Sequence, residues 1–175
     1  MTEHPRTTLV LGGARSGKSR HAQSLAESFA PHRIFVATAQ PFDAEMRDRI
    51  ARHRADRDAS WRTIEAPRDL PQALRACAHG GHVVLVDCLT LWLSNLLLAD
   101  DDLDRASDDL AAALAGATAL VVLVSNEVGW GIVPDNALAR RFRDAAGRLN
   151  QRLAATCAAT DLVVAGIPIR IASRP

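Results

Sequence analysis

"LVLGGARSGKS", residues 9–19, joins a short apolar run to a glycine-rich turn and a Gly-Lys-Ser triplet. Gly12, Gly17, Lys18 and Ser19 stand in the spacing G-x-x-x-x-G-K-[ST]. The run before them reads as a strand. After them, Ala22, Leu25, Ala26 and Phe29 recur at i, i+3, i+4 and i+7, which predicts a helix over 18–29 with one face on a sheet. Glycines let successive backbone N–H groups turn toward one anion, and the start of a helix adds partial positive charge. Gly12, Gly13, Ala14, Arg15, Ser16, Gly17, Lys18 and Ser19 are therefore the expected cradle for a nucleoside triphosphate. Lys18 would neutralise β and γ oxygens, and Ser19 can ligate Mg2+.

Outward from that loop, short apolar runs at 8–11, 34–38, 83–87, 120–125 and 162–166 alternate with helical patterns at 18–29, 43–57, 69–78, 103–115 and 136–158. Strands that are apolar throughout, rather than at every second residue, are those covered on both faces by crossover helices. The expected fold is α/β, P-loop NTPase-like, with a mostly parallel central sheet flanked by helices. One domain over 1–175 is expected, since 175 residues can bury a core but are short for two independent units.

Composition narrows the function classes. With 48% hydrophobic residues, 23% charged residues and a formal net charge of +1, neither disorder nor a general hold on nucleic acid is suggested. No run reaches the length of a membrane helix, so no membrane span is expected. Cys77, Cys88 and Cys157 are odd in number and set in apolar or alanine-rich surroundings, which points to reduced core thiols and a cytoplasmic setting. The acidic segment 99–109 reads as a solvated helix start.

Three further places carry possible chemistry. Asp87 closes the apolar run "VVLVD" (83–87), where it would be a second Mg2+ ligand or the N-cap of a segment beginning near Leu89. In "DRIARHRADR" (48–57), Met46, Ile50, His53 and Arg57 share one helical face, so His53 is either a packed histidine or a nucleophile among arginines. A neutral imidazole can attack phosphorus and expel pyrophosphate, and neighbouring cations would keep it neutral and stabilise the charge of the transition state. Finally, "NEVGWGIVP" (126–134) follows an apolar run, so Asn126 and Glu127 fall at the carboxyl edge of the sheet, where ligands bind in such folds. Glu127 is a candidate general base, and the loop is either a cover for a bulky substrate or an ordinary connection with an exposed Trp130. Trp61 and Trp92 read as core anchors. His21 reads as packed or solvated, and His4, His32, His79 and His82 receive no site role.

"GGARSGKSRHA" (12–22), "DAEMRDRI" (43–50), the His53 segment, "WRTIEAP" (61–67), "NEVGWGIVP" (126–134) and "FRDAAGRLNQRLA" (142–154) together resemble a known family. In order and spacing they are similar to the bifunctional adenosylcobinamide kinase / adenosylcobinamide-phosphate guanylyltransferases of cobalamin biosynthesis. The resemblance implies two reactions. A phosphate passes from ATP or GTP to the aminopropanol hydroxyl of adenosylcobinamide, and GMP from GTP then passes to that phosphate through a guanylylated histidine. His53 matches that histidine. Nucleotide contacts carried over by the resemblance fall on the loop 12–19, on Ala37, Thr38 and Ala39, on Arg54, Ala55, Asp56 and Arg57, and on Glu65 and Asp87. A homo-oligomer is also implied. Members of the family often carry a second histidine just before this one, where the present chain has Arg52.

Two other readings use the same residues. A monofunctional small-molecule kinase would employ the arginine segment as a lid and form no covalent nucleotide adduct. A nucleotide-switched binding module would show no acceleration of turnover by a small acceptor.

Overall fold

The computed structural model describes residues 5–40 and 58–173. The expected helix over 43–57, with His53, Arg54, Ala55, Asp56 and Arg57, lies outside the described residues. Among the described residues seven strands form one sheet: β1 (Thr7–Gly12), β2 (Arg33–Ala37), β3 (Trp61–Glu65), β4 (Val83–Asp87), β5 (Leu120–Asn126), β6 (Ala159–Val164) and β7 (Ile167–Ser173). Their spatial order is β3-β2-β4-β5-β1-β6-β7. Every neighbouring pair is parallel except β6 with β7. The helices are α1 (Lys18–Phe29), α2 (Leu70–Cys77), α3 (Leu89–Leu98), α4 (Leu103–Ala115) and α5 (Ala137–Thr156).

The unbroken apolar strands behave as their composition requires. All six residues of β1 are buried. Leu9 and Leu11 face one core cluster, with Leu74, Trp92, Leu110 and Leu149 from the four helices α2 to α5. Val10 faces the other cluster, with Ala22 and Ala26 of α1. Because successive side chains alternate between faces, a strand covered on both sides is apolar at most positions, and the polar groups it does bury, such as Thr7 and Thr8 of β1, are few.

Four elements depart from the sequence reading. The segment beginning near Leu89 is a ten-residue helix, α3, whose side chains are buried nearly all round, so it shows little of the polar and apolar alternation that marks a surface helix. β3 is an edge strand with Arg62, Thr63 and Glu65 exposed, and it exists through pairing with β2. β7 is the other edge and, among the described residues, the sole antiparallel strand of the sheet. Its Pro168 is tolerated because an edge strand can spare an N–H. The run expected as a strand over 162–166 is β6 shifted to 159–164, since Ala165 and Gly166, at φ 51° and 80°, make the turn into β7.

Other expectations are met. The three cysteines are free and buried. Asp102 in the acidic segment caps α4, accepting from Arg105 N–H at 3.0 Å. Among the described residues no helix is long and apolar enough to cross a membrane.

Candidate active site

β1 ends at Gly12, and the chain turns through Gly13, Ala14, Arg15, Ser16 and Gly17 before α1 begins at Lys18. Arg15 and Gly17 hold φ of 55° and 93°. Gly12 is required by crowding, since a Cβ there would stand 2.4 Å from Ser16 Oγ and 2.7 Å from the carbonyl oxygen of Val163. Ser16 N–H donates to Gly13 O at 3.3 Å, and Lys18 Nζ donates to the same oxygen at 3.1 Å. Whereas α4 and α5 are capped by Asp102 and Asn136, no side chain caps α1. The first N–H groups of that helix and its positive end therefore point into the loop, which suits an anion.

Two strands bring acidic groups to this loop. Asp87 ends β4, half-buried, in register with Ala37 of β2. The N-cap of α3 is Cys88, not Asp87, so the capping alternative is not adopted. Burial pushes the Cys88 thiol up and Asp87 adds to the effect, while Lys18 acts in the opposite direction. The sulfur thus feels both charges, the one from the loop and the one from β4. Glu127 follows β5, and its N–H donates to Gly12 O at 3.0 Å. Its Oε1 accepts from Gly129 N–H at 2.6 Å. Beyond it Trp130, Ile132 and Val133 are exposed.

Ser19 and Asp87 offer a hydroxyl and a carboxylate, both half-buried. Among the described residues no three His, Cys, Asp or Glu side chains gather to hold a metal by themselves. Mg2+ is commonly held by one or two protein oxygens together with phosphate oxygens and water, so the donor set fits that ion.

Not every expected contact converges. The Thr38 side chain is fully buried, with Oγ1 donating to Cys88 O at 2.7 Å and accepting from Cys88 N–H at 2.9 Å, so its hydroxyl braces the start of α3. Ala37 and Ala39 are half-buried beside it. Glu65 is exposed at the end of β3, four strands from β1, or about 19 Å at the usual strand spacing. It shares the carboxyl edge without reaching the loop. A separate cleft of about 650 Å³, lined by Arg68, Trp92 and Asp101 among others, includes no residue of the loop.

Asn126, expected only at the carboxyl edge, and His21, expected as packed or solvated, also enter. Asn126 Nδ2 donates to Thr90 Oγ1 at 2.6 Å, and its carbonyl accepts from Asn150 Nδ2 at 3.3 Å. His21, expected to pack or meet solvent, is partly exposed and in addition places its Nε2 3.0 Å from Oδ2 of the buried Asp161. An aspartate inside an otherwise apolar run was the available signal, but its partners are distant in sequence.

Comparisons with known proteins identify the family. A family model described as cobinamide kinase / cobinamide phosphate guanyltransferase matches residues 8–171. The chain belongs to that family. It is 48% identical over 169 residues to the bifunctional adenosylcobalamin biosynthesis protein CobP of Pseudomonas aeruginosa, covering 95% of this chain and 98% of that one. It is 47% identical to the bifunctional adenosylcobalamin biosynthesis protein CobU of Salmonella typhimurium, covering 93% of this chain and 98% of that one. A solved protein of Pyrococcus horikoshii OT3 aligns with a TM-score of 0.54 at 10% identity, over 96% of this chain and 86% of that one, which is a likeness of fold alone. As a member of the cobinamide kinase / guanylyltransferase family, the chain is a nucleotide-using bifunctional enzyme of cobalamin biosynthesis, and the reading as a kinase alone is not favoured.

Proposed function

We propose that the single domain over 1–175 carries out both reactions at the carboxyl edge of its sheet. In the first, the loop 12–19 holds the triphosphate of ATP or GTP, Lys18 neutralises its β and γ oxygens, and Ser19 with Asp87 holds Mg2+. When bound, that ion withdraws charge from the phosphate oxygens. Glu127 accepts the proton of the aminopropanol hydroxyl of adenosylcobinamide as its oxygen bonds to the γ phosphorus and the bond to the β-phosphate oxygen breaks. The exposed Val128, Trp130, Ile132 and Val133 supply the apolar cover for the corrinoid.

In the second reaction, His53 attacks the α phosphorus of GTP, a nitrogen-phosphorus bond forms, and pyrophosphate leaves. The corrinoid phosphate oxygen then attacks the same phosphorus, the nitrogen-phosphorus bond breaks, and the imidazole returns to its neutral form. Arg54 and Arg57 offset phosphate charge, while Ala55, Asp56, Ala37, Ala39 and Glu65 surround the nucleoside, with the buried Thr38 bracing the start of α3 beside them. The observation that supports this reading most is the meeting of three segments at one loop: Lys18 from α1, Asp87 from β4 and Glu127 from the end of β5.

The enzyme is proposed to work in the cytoplasm as a homo-oligomer. Ile167, Ile169 and Ile171 alternate along β7 and are each at least 50% exposed, an apolar strip that assembly would cover. Sedimentation at several concentrations tests the assembly.

Intact-mass measurement after incubation with GTP and Mg2+, followed by peptide mapping, tests the two-step route. One GMP on the peptide containing His53, absent from His53→Ala while that variant still phosphorylates adenosylcobinamide, is the expected result. Wild-type enzyme that forms product without any adduct overturns the covalent step and leaves the kinase.

A further inference from the structure

We infer that the β6–β7 hairpin sets the shape of the phosphate loop, and that His21 and Arg170, clamped on the buried carboxylate of Asp161, are positioning residues for triphosphate binding. The inference rests on the proposed role of residues 12–19 as the triphosphate cradle.

The hairpin touches the loop at its most constrained point. Gly166 N–H donates to Ser16 O at 2.8 Å. A Cβ on Gly17 would come within 3.1 Å of Gly166 Cα, and one on Gly12 would meet Val163 O. Loop and hairpin backbones therefore lie against each other with no side chain between them. With Ser16 O committed to Gly166, the peptide that follows it is held in one orientation, and its N–H belongs to Gly17, the residue from which α1 departs.

Asp161 ties the same pieces together from beneath. It is 3% exposed, on β6, in register with Val10 of β1. Its carboxylate meets His21 Nε2 from α1 at 3.0 Å and Arg170 from β7, whose Nε and Nη2 both donate to it. A carboxylate carried out of water is costly without partners, so it holds what pairs with it. His21 is itself bound to the loop, since its backbone N–H donates to Gly17 O at 3.0 Å. The contacts close a ring: Ser16 to Gly166 across the hairpin tip, Gly166 along β7 to Arg170, Arg170 to Asp161, Asp161 to His21, and His21 back to Gly17. A change at any member lets α1 and the hairpin move apart. The loop between them would then lose the alignment of its N–H groups. None of these side chains needs to touch substrate.

The test compares Arg170→Met, Arg170→Lys and Gly166→Ala with wild type, reading the GTP dissociation constant by calorimetry, and KM for GTP against kcat in the kinase reaction. Gly166→Ala places a side chain at φ 80° in open space, so it perturbs the tip without a clash. Expected is a rise of about fivefold or more in both the dissociation constant and KM for Arg170→Met and Gly166→Ala, with kcat at saturating GTP within about twofold of wild type. Arg170→Lys should recover at least about half of the lost affinity, because it restores a cation to Asp161. Affinity within about twofold of wild type in both damaging variants, or parallel losses in kcat, overturn the inference. Should Arg170→Met fail to fold, Gly166→Ala decides by the same criteria. Wild-type enzyme that does not bind GTP would instead remove the reading of residues 12–19 as the cradle.

Discussion

The backbone N–H of Glu127 donates to the carbonyl oxygen of Gly12 at 3.0 Å, so the end of β5 is fastened to the first residue of the phosphate loop. This bond fixes the backbone of the residue proposed as general base beside the cradle, while its carboxylate accepts from Gly129 N–H. Glu127→Gln keeps the backbone bond and removes the basic oxygen. Phosphorylation of adenosylcobinamide should fall by about a hundredfold or more, the usual worth of a general base, while guanylylation of the enzyme by GTP continues. Initial rates of the two half-reactions, measured separately, check this.

Lys18→Ala should abolish both half-reactions. The ammonium group is buried, donates to Gly13 O and acts electrostatically on Cys88, so it belongs to the loop rather than to solvent. A loss of about a hundredfold or more in kcat/KM is expected for removing a charge aimed at a phosphate oxygen. Circular dichroism should show an unchanged fold.

The two neighbouring glycines of the loop should respond oppositely to alanine. Gly12→Ala forces a Cβ onto Ser16 Oγ and Val163 O, and overpacking of this kind costs about 1–3 kcal/mol. Gly13→Ala meets nothing within 4 Å and should leave the melting temperature almost unchanged. Thermal unfolding of the two variants side by side separates crowding from conformational freedom.

Trp92 is fully buried between the helices and donates Nε1–H to Arg68 O at 2.8 Å. Trp92→Phe removes the donor and part of the volume and should destabilise by about 1–3 kcal/mol. Trp92→Ala should cost about 3–5 kcal/mol. Denaturant titration gives both values.

Burial raises the Cys77 thiol above its ordinary 9.0, with Arg62 acting the other way. The folded chain therefore holds the thiol proton more tightly than the unfolded chain does. That contribution to stability is complete below about pH 9, the ordinary value, and is lost as the pH rises through the folded value. Cys77→Ala should flatten the fall in stability above about pH 9, read by denaturant titration at several alkaline pH values.

Much of this molecule is written locally. The spacing of Gly12, Gly17, Lys18 and Ser19 predicts a strand-loop-helix unit because every group it needs lies within one turn of chain. The apolar runs of β1, β4 and β5 announce a sheet covered on both faces for an equally local reason, since no side chain among them could meet water. Asp87 and Glu127 could be placed at one edge because strands of a parallel sheet all end on the same side.

What was not legible is what depends on partners far away in the chain. β3 carries mixed polar and apolar residues that alone support no element, and pairing with β2 makes it a strand, whereas β7 does alternate Ile167, Ile169 and Ile171 but only its pairing with β6 sets its place and direction. α3 is so thoroughly buried that its sequence lacks the one-sided pattern by which helices are found. Asp161, 140 residues from His21 and nine from Arg170, has no local partner that would announce the clamp. The sequence by itself determined the phosphate loop and the covered parallel sheet, because these follow from hydrogen-bonding capacity and apolar period over a few residues, and it carried the family through the resemblance of its motifs. Only the tertiary structure decided which strand lies beside which, what seals the sheet edges and what braces the loop from below, because a buried charge or an unpaired strand edge is satisfied by whichever group the whole chain brings to it.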